Sequence, residues 1–206
     1  NSGLGEIALK IAAFKFFKAQ IAESQKRVLN IQKEIEKVKE EGKDVLKDAT
    51  KSIVQDGKIK GERLLQRDTK RLYLKMLEQY DSSKIHIYGF SLGTGIAARL
   101  ASRQPCATLF LEAPYFNFVA LINYHKGYLP ASWISRYYFR TNKYLKDVEA
   151  PIHIFHGTED RKVPYFLGKK LKDNFPEVNF YKVEGCTHNE MQEMKLFQEE
   201  MKRILT

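Results

Sequence analysis

Apolar residues recur at alternating steps of three and four in the N-terminal part of the chain. The series consists of Phe14, Phe17, Ile21, Val28, Ile31, Ile35 and Val38, with Ser24 as the one polar residue at the step between Ile21 and Val28. This spacing predicts a helix with a heptad seam, which packs on the rest of the chain or on a second copy of it. Gly42 is expected to end or bend this helix, a shorter helix is expected within 45–53, and Asp56-Gly57 predicts a turn.

The pattern changes after residue 60 to short apolar runs that alternate with amphipathic stretches. The runs predict strands at 85–88, 107–112, 152–155 and 178–183, and the stretches predict helices at 62–80, 92–102, 165–174 and 190–205. An irregular segment rich in Tyr and Phe fills 114–148. Strands that alternate with helices predict the α/β class, with a mainly parallel sheet flanked by helices. We therefore expect a helical, coiled-coil-like segment at 1–56 and an α/β domain at 57–206.

The composition excludes several classes of protein. A chain of 206 residues, of which 43% are hydrophobic, can form one ordinary domain with an appendage. Its two cysteines cannot form a disulfide framework, so we expect a reducing compartment and a cytoplasmic location. We expect neither a signal peptide nor a membrane-spanning helix, because the sequence shows neither pattern.

The charge distribution bears on the partners. The formal net charge of +10 is spread along the chain with acidic residues interleaved, whereas nucleic-acid binding requires a concentrated basic face, so no nucleic-acid partner is expected. Residues 7–22 form an apolar stretch that is interrupted by lysines. This pattern is typical of a helix lying on a membrane surface. The candidate partners of the N-terminal segment are therefore a membrane surface at 7–22 and, through the heptad seam, a second copy of the chain.

The motif Gly89-Phe90-Ser91-Leu92-Gly93 lies between a predicted strand and a predicted helix. This is the context of a nucleophile elbow, in which a tight turn holds a serine hydroxyl clear of the backbone. The N-terminus of the following helix favours negative charge, and the backbone N–H of Leu92 is a candidate donor to an oxyanion. The motif therefore makes Ser91 a candidate nucleophile.

A serine nucleophile needs a base that a third group orients. Two further segments supply candidates, His156-Gly157-Thr158-Glu159-Asp160 after the third strand and Gly185-Cys186-Thr187-His188-Asn189 after the fourth. Both lie at the carboxyl ends of predicted parallel strands, where open α/β sheets place their sites. The order Ser91, Asp160, His188 is that of an α/β-hydrolase triad.

These motifs are similar to those of a known protein family. Residues from about 60 to 206 resemble the C-terminal portion of an α/β-hydrolase, close to the serine aminopeptidase-like and esterase-like group. The segments that resemble it are 87–95, 111–114, 150–160, 163–164 and 184–189. The resemblance implies a serine hydrolase acting on an ester, thioester or small amide, with Ser91 as nucleophile, Asp160 as orienting acid and His188 as base. It implies a short cap or insertion at about 114–148, and neither cofactor nor metal.

The chain departs from this family before the elbow. The family fold has about four more strands there, and one of their loops supplies the second oxyanion N–H. Residues 1–56 occupy that place and are predicted to be helical. The strand at 85–88 is therefore expected to expose an unpaired edge. The alternative function is a catalytically weak or inactive truncated domain, whose N-terminal helical segment mediates assembly.

The candidate site residues also allow other interpretations. Glu159 competes with Asp160 for the acid role, although the family spacing favours Asp160. His153 and His156 form an H-x-x-H string, but residues three apart in a strand point to opposite faces, which is poor for one metal ion. Gly93 to Ala98 and Glu112 outline a dinucleotide fingerprint, which is disfavoured because its glycine does not directly follow the strand. Cys186 is expected to be a buried thiol.

Overall fold

The computed structural model describes residues 46–125 and 138–205, and the side chains within 62–125 and 138–205. Packing of the backbone divides the chain into two compact units, Asn1–Leu65 and Gln66–Thr206. The heptad seam and the candidate membrane segment at 7–22 lie outside the described residues, so both stay predictions. In the described part of the chain, no helix combines the length and the apolar character needed to cross a bilayer.

Helix α1 (Leu46–Leu77) is continuous through residues 56 and 57. The turn predicted at Asp56-Gly57 is therefore wrong, and the division of the chain predicted at this point stays a prediction. A glycine inside a helix costs only about 1 kcal/mol relative to alanine, which a long helix tolerates. In the second unit, the hydroxyl of Tyr73 in α1 donates to the carbonyl of Pro105 at 2.6 Å.

The second unit contains a sheet of four parallel strands in the order β1-β2-β3-β4. The strands are β1 (His86–Phe90), β2 (Thr108–Glu112), β3 (Ile152–Gly157) and β4 (Asn179–Val183). The helices after α1 are α2 (Gly93–Ala101), α3 (Phe118–His125), α4 (Thr141–Tyr144), α5 (Tyr165–Asn174) and α6 (Lys195–Leu205). Short 3₁₀ helices lie at Ser82–Lys84, Leu145–Asp147 and Met191–Glu193. The predicted fold class, a parallel sheet flanked by helices, is confirmed.

Successive side chains of a strand point to opposite sides of the sheet, and the central strands β2 and β3 are buried on both faces. One face packs on α2 and α5 through the cluster of Ile87, Ala98, Leu109, Leu111, Ile154 and Leu171. The other face packs on α6 through Phe110, Phe155, Val183, Met191 and Phe197. Burying each such large side chain stabilises the fold by about 1.5–3 kcal/mol. The two clusters fix the strands in register, so their carboxyl ends meet at one edge.

Strand β1 is one of the two edge strands of the described sheet, and β4 is the other. Within 46–125 and 138–205, β1 pairs with β2 alone. Its inward face, including Ile87 and Gly89, is buried, whereas His86, Tyr88 and Phe90 are half-buried. The strand that carries the candidate nucleophile therefore has one hydrogen-bonded neighbour in the described structure.

The segment predicted to be irregular at 114–148 contains helical structure in its described parts. Helix α3 begins after Asn117, whose side-chain oxygen accepts a hydrogen bond from the backbone N–H of Ala120 at 2.8 Å. This is an N-cap, a local signal that the absence of clear periodicity concealed. The assignment of 118–125 as irregular was therefore wrong, and so was that of 141–144, which is α4.

Candidate active site

The turn between β1 and α2 holds Ser91 in a strained conformation. Its φ is 51°, in the left-handed region that non-glycine residues rarely adopt. The backbone N–H of Ser91 donates to the carbonyl of Glu112 at 2.9 Å, and the hydroxyl and N–H of Thr94 donate to the carbonyl of Ser91 at 2.7 and 3.0 Å. Such strain costs about 1–3 kcal/mol and persists only where the surroundings impose it. The structure thus has the elbow that the sequence predicted.

Gly89 lets the strand and the helix of the elbow approach each other. A Cβ atom at this position would lie 2.7 Å from the Cβ of Ala97 and 2.8 Å from the carbonyl oxygen of Gly93. Both distances are well inside van der Waals contact, so a larger residue would push α2 away from β1. Leu92 follows Ser91 at the N-terminus of α2, and its carbonyl accepts a hydrogen bond from the Tyr115 hydroxyl at 3.1 Å.

Asp160 lies in the loop after β3, where backbone groups hold its carboxylate. Its Oδ1 accepts hydrogen bonds from the N–H groups of Lys162 at 2.9 Å and Val163 at 2.8 Å. Its Oδ2 lies 2.6 Å from Nδ1 of His188. Burial acts to raise the pKa of Asp160, but the hydrogen bonds from His188 and Val163 outweigh it, and the pKa lies below its ordinary value. Asp160 is therefore a carboxylate.

The state of Asp160 determines the tautomer of His188. Because a carboxylate only accepts, Nδ1 of His188 carries the proton and Nε2 is left to take another. Both side chains are buried, with exposed fractions of 5% for Asp160 and 8% for His188. An imidazole oriented by a carboxylate is the arrangement that serine hydrolases use to move a proton.

The imidazole of His188 lies beside the elbow. Its ring packs against that of Phe90, the residue before Ser91, with 5.0 Å between centroids. In the described part of the chain, the Ser91 hydroxyl makes no hydrogen bond to His188. Catalytic hydrogen bonds are often long without substrate and shorten when it binds. The structure thus joins Asp160 and His188 directly and brings their loops to the edge of the sheet that carries Ser91.

Backbone hydrogen bonds hold the loops of Asp160 and His188 together. The N–H of Thr158 donates to the carbonyl of Val183 at 3.0 Å, and the N–H of Glu159 donates to the carbonyl of Cys186 at 3.1 Å. The N–H of Gly185 donates to the Thr158 hydroxyl at 2.9 Å. These bonds connect the loop after β3 that carries Asp160, which we call the acid loop, to the loop that leads to His188.

Glu112 is a buried acid, although the sequence pattern connects it only with a dinucleotide site. It ends β2 with an exposed fraction of 2%, and the Tyr88 hydroxyl donates to its carboxyl group. Burial raises the pKa of Glu112 to about 8, and the charge of Asp160 adds to the shift. Its position at the end of an apolar strand, in Leu-Glu-Ala-Pro at 111–114, was the available signal.

Replacing Glu112 with glutamine is expected to stabilise the protein at pH 7.5 but not at pH 4. Between the ordinary carboxyl pKa of 4.5 and about 8, the unfolded chain ionises while the folded chain keeps the proton, so stability falls as pH rises. The gain should approach a few kcal/mol at the upper end, at about 1.4 kcal/mol per pH unit. Urea unfolding of both proteins at the two pH values measures it. An equal difference at both would contradict the prediction.

The other candidate groups have separate partners. His153 Nδ1 lies 3.1 Å from the Tyr181 hydroxyl, whereas His156 Nε2 lies 2.8 Å from the carbonyl of Val163. Among the residues whose side chains are described, no group of three or more His, Cys, Asp or Glu suits a metal ion. Burial raises the pKa of Cys186 to about 11, so its thiol is a poor nucleophile at neutral pH.

Comparisons with known proteins place these features in context. No protein-family model matches the chain. It is similar to the lysophosphatidylserine lipase ABHD12 of Danio rerio, with 30% identity over 130 residues that cover 54% of this chain and 34% of that protein. It is also similar to the alpha/beta hydrolase domain-containing protein 17C of Xenopus tropicalis, with 30% identity over 125 residues that cover 59% and 38%. The chain thus spans about a third of these relatives.

A solved structure shares the fold. A carboxylesterase of the ammonia-oxidizing thaumarchaeon Nitrososphaera gargenis superposes with a TM-score of 0.53 at 16% identity. The match covers 70% of this chain and 71% of that one. At this identity the likeness concerns the arrangement of strands and helices, and it agrees with the parallel sheet described above.

Proposed function

The chain belongs to the α/β-hydrolase superfamily, and on that premise we propose that it is a serine hydrolase that cleaves an ester, thioester or small amide. Ser91, His188 and Asp160 are its catalytic residues. The observation that carries the proposal is the 2.6 Å hydrogen bond between a buried carboxylate and an imidazole beside a strained serine turn. No cofactor or metal takes part in the proposed reaction.

The reaction proceeds in two stages. The hydroxyl oxygen of Ser91 attacks the substrate carbonyl while Nε2 of His188 takes the hydroxyl proton, and Asp160 stabilises the imidazolium that forms. The N–H of Leu92 donates to the tetrahedral oxyanion. The imidazolium then gives its proton to the leaving group, and an acyl-enzyme remains. Water deprotonated by His188 attacks this ester, and the acid is released as Ser91 recovers its proton.

Aromatic packing supports an apolar or aromatic acyl group. Phe118 at the start of α3 packs edge-on against Tyr115 at 5.8 Å and against Phe139 at 6.0 Å between centroids. The hydroxyl of Tyr115 bonds the carbonyl of Leu92, next to the proposed nucleophile. The relative named as a lysophosphatidylserine lipase favours an ester over an amide.

A second candidate function is a weak or inactive hydrolase-like domain that assembles through its N-terminal segment. The observation that favours it is the single neighbour of β1 within the described residues. A triad without a second oxyanion donor loses about 10²–10³ in rate.

Labelling by a fluorophosphonate probe tests the proposed function. The phosphonate captures an activated serine, so the wild-type chain is expected to be labelled and Ser91→Ala to remain unlabelled. Ser83→Ala is the matched control, because this exposed serine lies in the turn before β1, and it should be labelled at the wild-type rate. Labelling of Ser91→Ala would refute the assignment, and folded wild-type protein without label would favour the inactive domain.

A further inference from the structure

His156 is buried beneath the acid loop, yet the proposed reaction does not use it. It lies in β3 with an exposed fraction of 0%. Its Nε2 is 2.8 Å from the carbonyl oxygen of Val163. Because a carbonyl only accepts, Nε2 carries a proton and donates it. The N–H of the same Val163 donates to Oδ1 of Asp160 at 2.8 Å. A chain of two hydrogen bonds thus runs from His156 through Val163 to the proposed catalytic acid.

The surroundings of His156 favour its neutral form. Its Nδ1 is buried without a hydrogen-bond partner in the described structure. Gly168 of α5 packs on this atom so closely that a Cβ there would overlap Nδ1 and lie 2.9 Å from Cε1. A second proton, on Nδ1, would therefore have no acceptor.

The groups around the imidazole agree with a neutral state. Burial is the main cause that lowers the pKa of His156, although the Val163 carbonyl and the Asp160 carboxylate act to raise it. Oδ2 of Asp160 lies 3.8 Å from Nε2, and the Tyr165 ring packs edge-on at 5.7 Å.

We propose that His156 is a positioning residue, whose neutral imidazole fixes the carbonyl of Val163 and so sets the carboxylate of Asp160 against His188. The inference rests on the proposed function, since it assigns His156 a role in orienting the triad. Asp160 accepts from Val163 on one oxygen and from His188 on the other. The carbonyl and the N–H of Val163 belong to successive peptide units that meet at its Cα. A shift of Val163 therefore removes one of the two donors to Oδ1, and the carboxylate can rotate away from the imidazole.

Two substitutions of His156 distinguish a positioning role from a role in which the side chain only fills space in the core. His156→Gln keeps an N–H donor at the reach of Nε2, whereas His156→Leu fills a similar volume without a donor. The readouts are the second-order rate of fluorophosphonate labelling and the low-field proton resonance of the Asp160–His188 hydrogen bond. We expect H156L to label about 10²-fold more slowly and to lose the resonance, because a displacement of about 1 Å has such an effect. H156Q should keep the resonance and label within about threefold of wild type.

The outcomes distinguish this inference from the proposed function. A wild-type chain that does not label refutes the proposed function. A wild-type chain that labels, with folded H156L labelling equally fast, overturns the positioning role alone. Equal losses of labelling and of stability in H156L and H156Q also overturn it, because they indicate a structural role.

A second perturbation covers the case in which H156L does not fold. Gly168→Ala leaves His156 in place but pushes on its ring, so it should slow labelling and weaken the low-field resonance. Wild-type labelling by folded G168A would contradict the inference. Leu167→Val, at the buried position beside Gly168 in α5, is the matched control for a change in local packing and should keep the resonance.

Discussion

Replacing Asp160 with asparagine is expected to lower kcat/KM about 10⁴-fold while leaving the fold intact. The carboxamide oxygen would keep the hydrogen bonds from the N–H groups of Lys162 and Val163, so the amide nitrogen would face His188. That nitrogen is a donor, and Nδ1 of His188 would have to accept from it. The imidazole proton would move to Nε2, the atom that must take the proton of Ser91. Hydrolysis of p-nitrophenyl butyrate by the two proteins measures the effect.

Glu159 provides the matched control for this substitution. It is the neighbouring carboxylate, but it is exposed, and the sequence alone left it as a competitor for the acid role. Glu159→Gln should therefore keep kcat/KM within about twofold of the wild-type value, since an exposed charge contributes little. A large loss in Glu159→Gln, or full activity in Asp160→Asn, would show that the acid has been misassigned.

Replacing Gly157 with alanine is expected to destabilise the fold and to slow probe labelling at the same time. A Cβ at this position would overlap the carbonyl oxygen of Cys186 and lie 2.8 Å from its carbonyl carbon. These are backbone atoms, so the end of β3 and the loop after β4 would have to separate. Overpacking of this kind costs about 1–3 kcal/mol and sometimes more. The same separation pulls Asp160 from His188, so labelling should slow about 10²-fold.

Chemical denaturation of Gly157→Ala and of a control glycine variant measures this effect. The control position is Gly93 at the start of α2, where an added Cβ would have no atom within 4 Å. Gly93→Ala should therefore unfold at the same or a slightly higher denaturant concentration, because alanine favours the helix by up to about 1 kcal/mol. Equal unfolding free energies for Gly157→Ala and the wild-type chain would show that the two loops can separate without cost.

The features that the sequence revealed depend on local pattern. The elbow at Ser91 was predictable because an apolar run, two flanking glycines and a helical pattern lie within a short segment. The edge shared by Asp160 and His188 was predictable because parallel strands align their carboxyl ends. The observed strand ends differ from the predicted ones by only one or two residues. For example, β1 is predicted at 85–88 and is found at His86–Phe90.

The features that the sequence concealed depend on contacts between distant segments. Glu112 reads as the polar end of a strand, and only pairing of β1 with β2 brings the Tyr88 hydroxyl to its carboxyl group. The role of His156 depends on the return of the chain to Val163 and on the packing of Gly168 from α5. The turn propensity of Asp56-Gly57 also gave a wrong prediction, because these two residues lie inside α1. Such pairings carry no periodic signature, so tertiary packing decides them.

In the described sheet, the order of strands in space is the order in which they are synthesised. Each of β2, β3 and β4 therefore finds a pairing partner already synthesised, and β4 is the last of the four to join. The elbow is complete once α2 has formed, but the loop that carries His188 emerges only after β4. Because a serine without its base is a poor nucleophile, the proposed nucleophile is expected to stay unreactive towards esters until β4 has paired and the loop with His188 has formed.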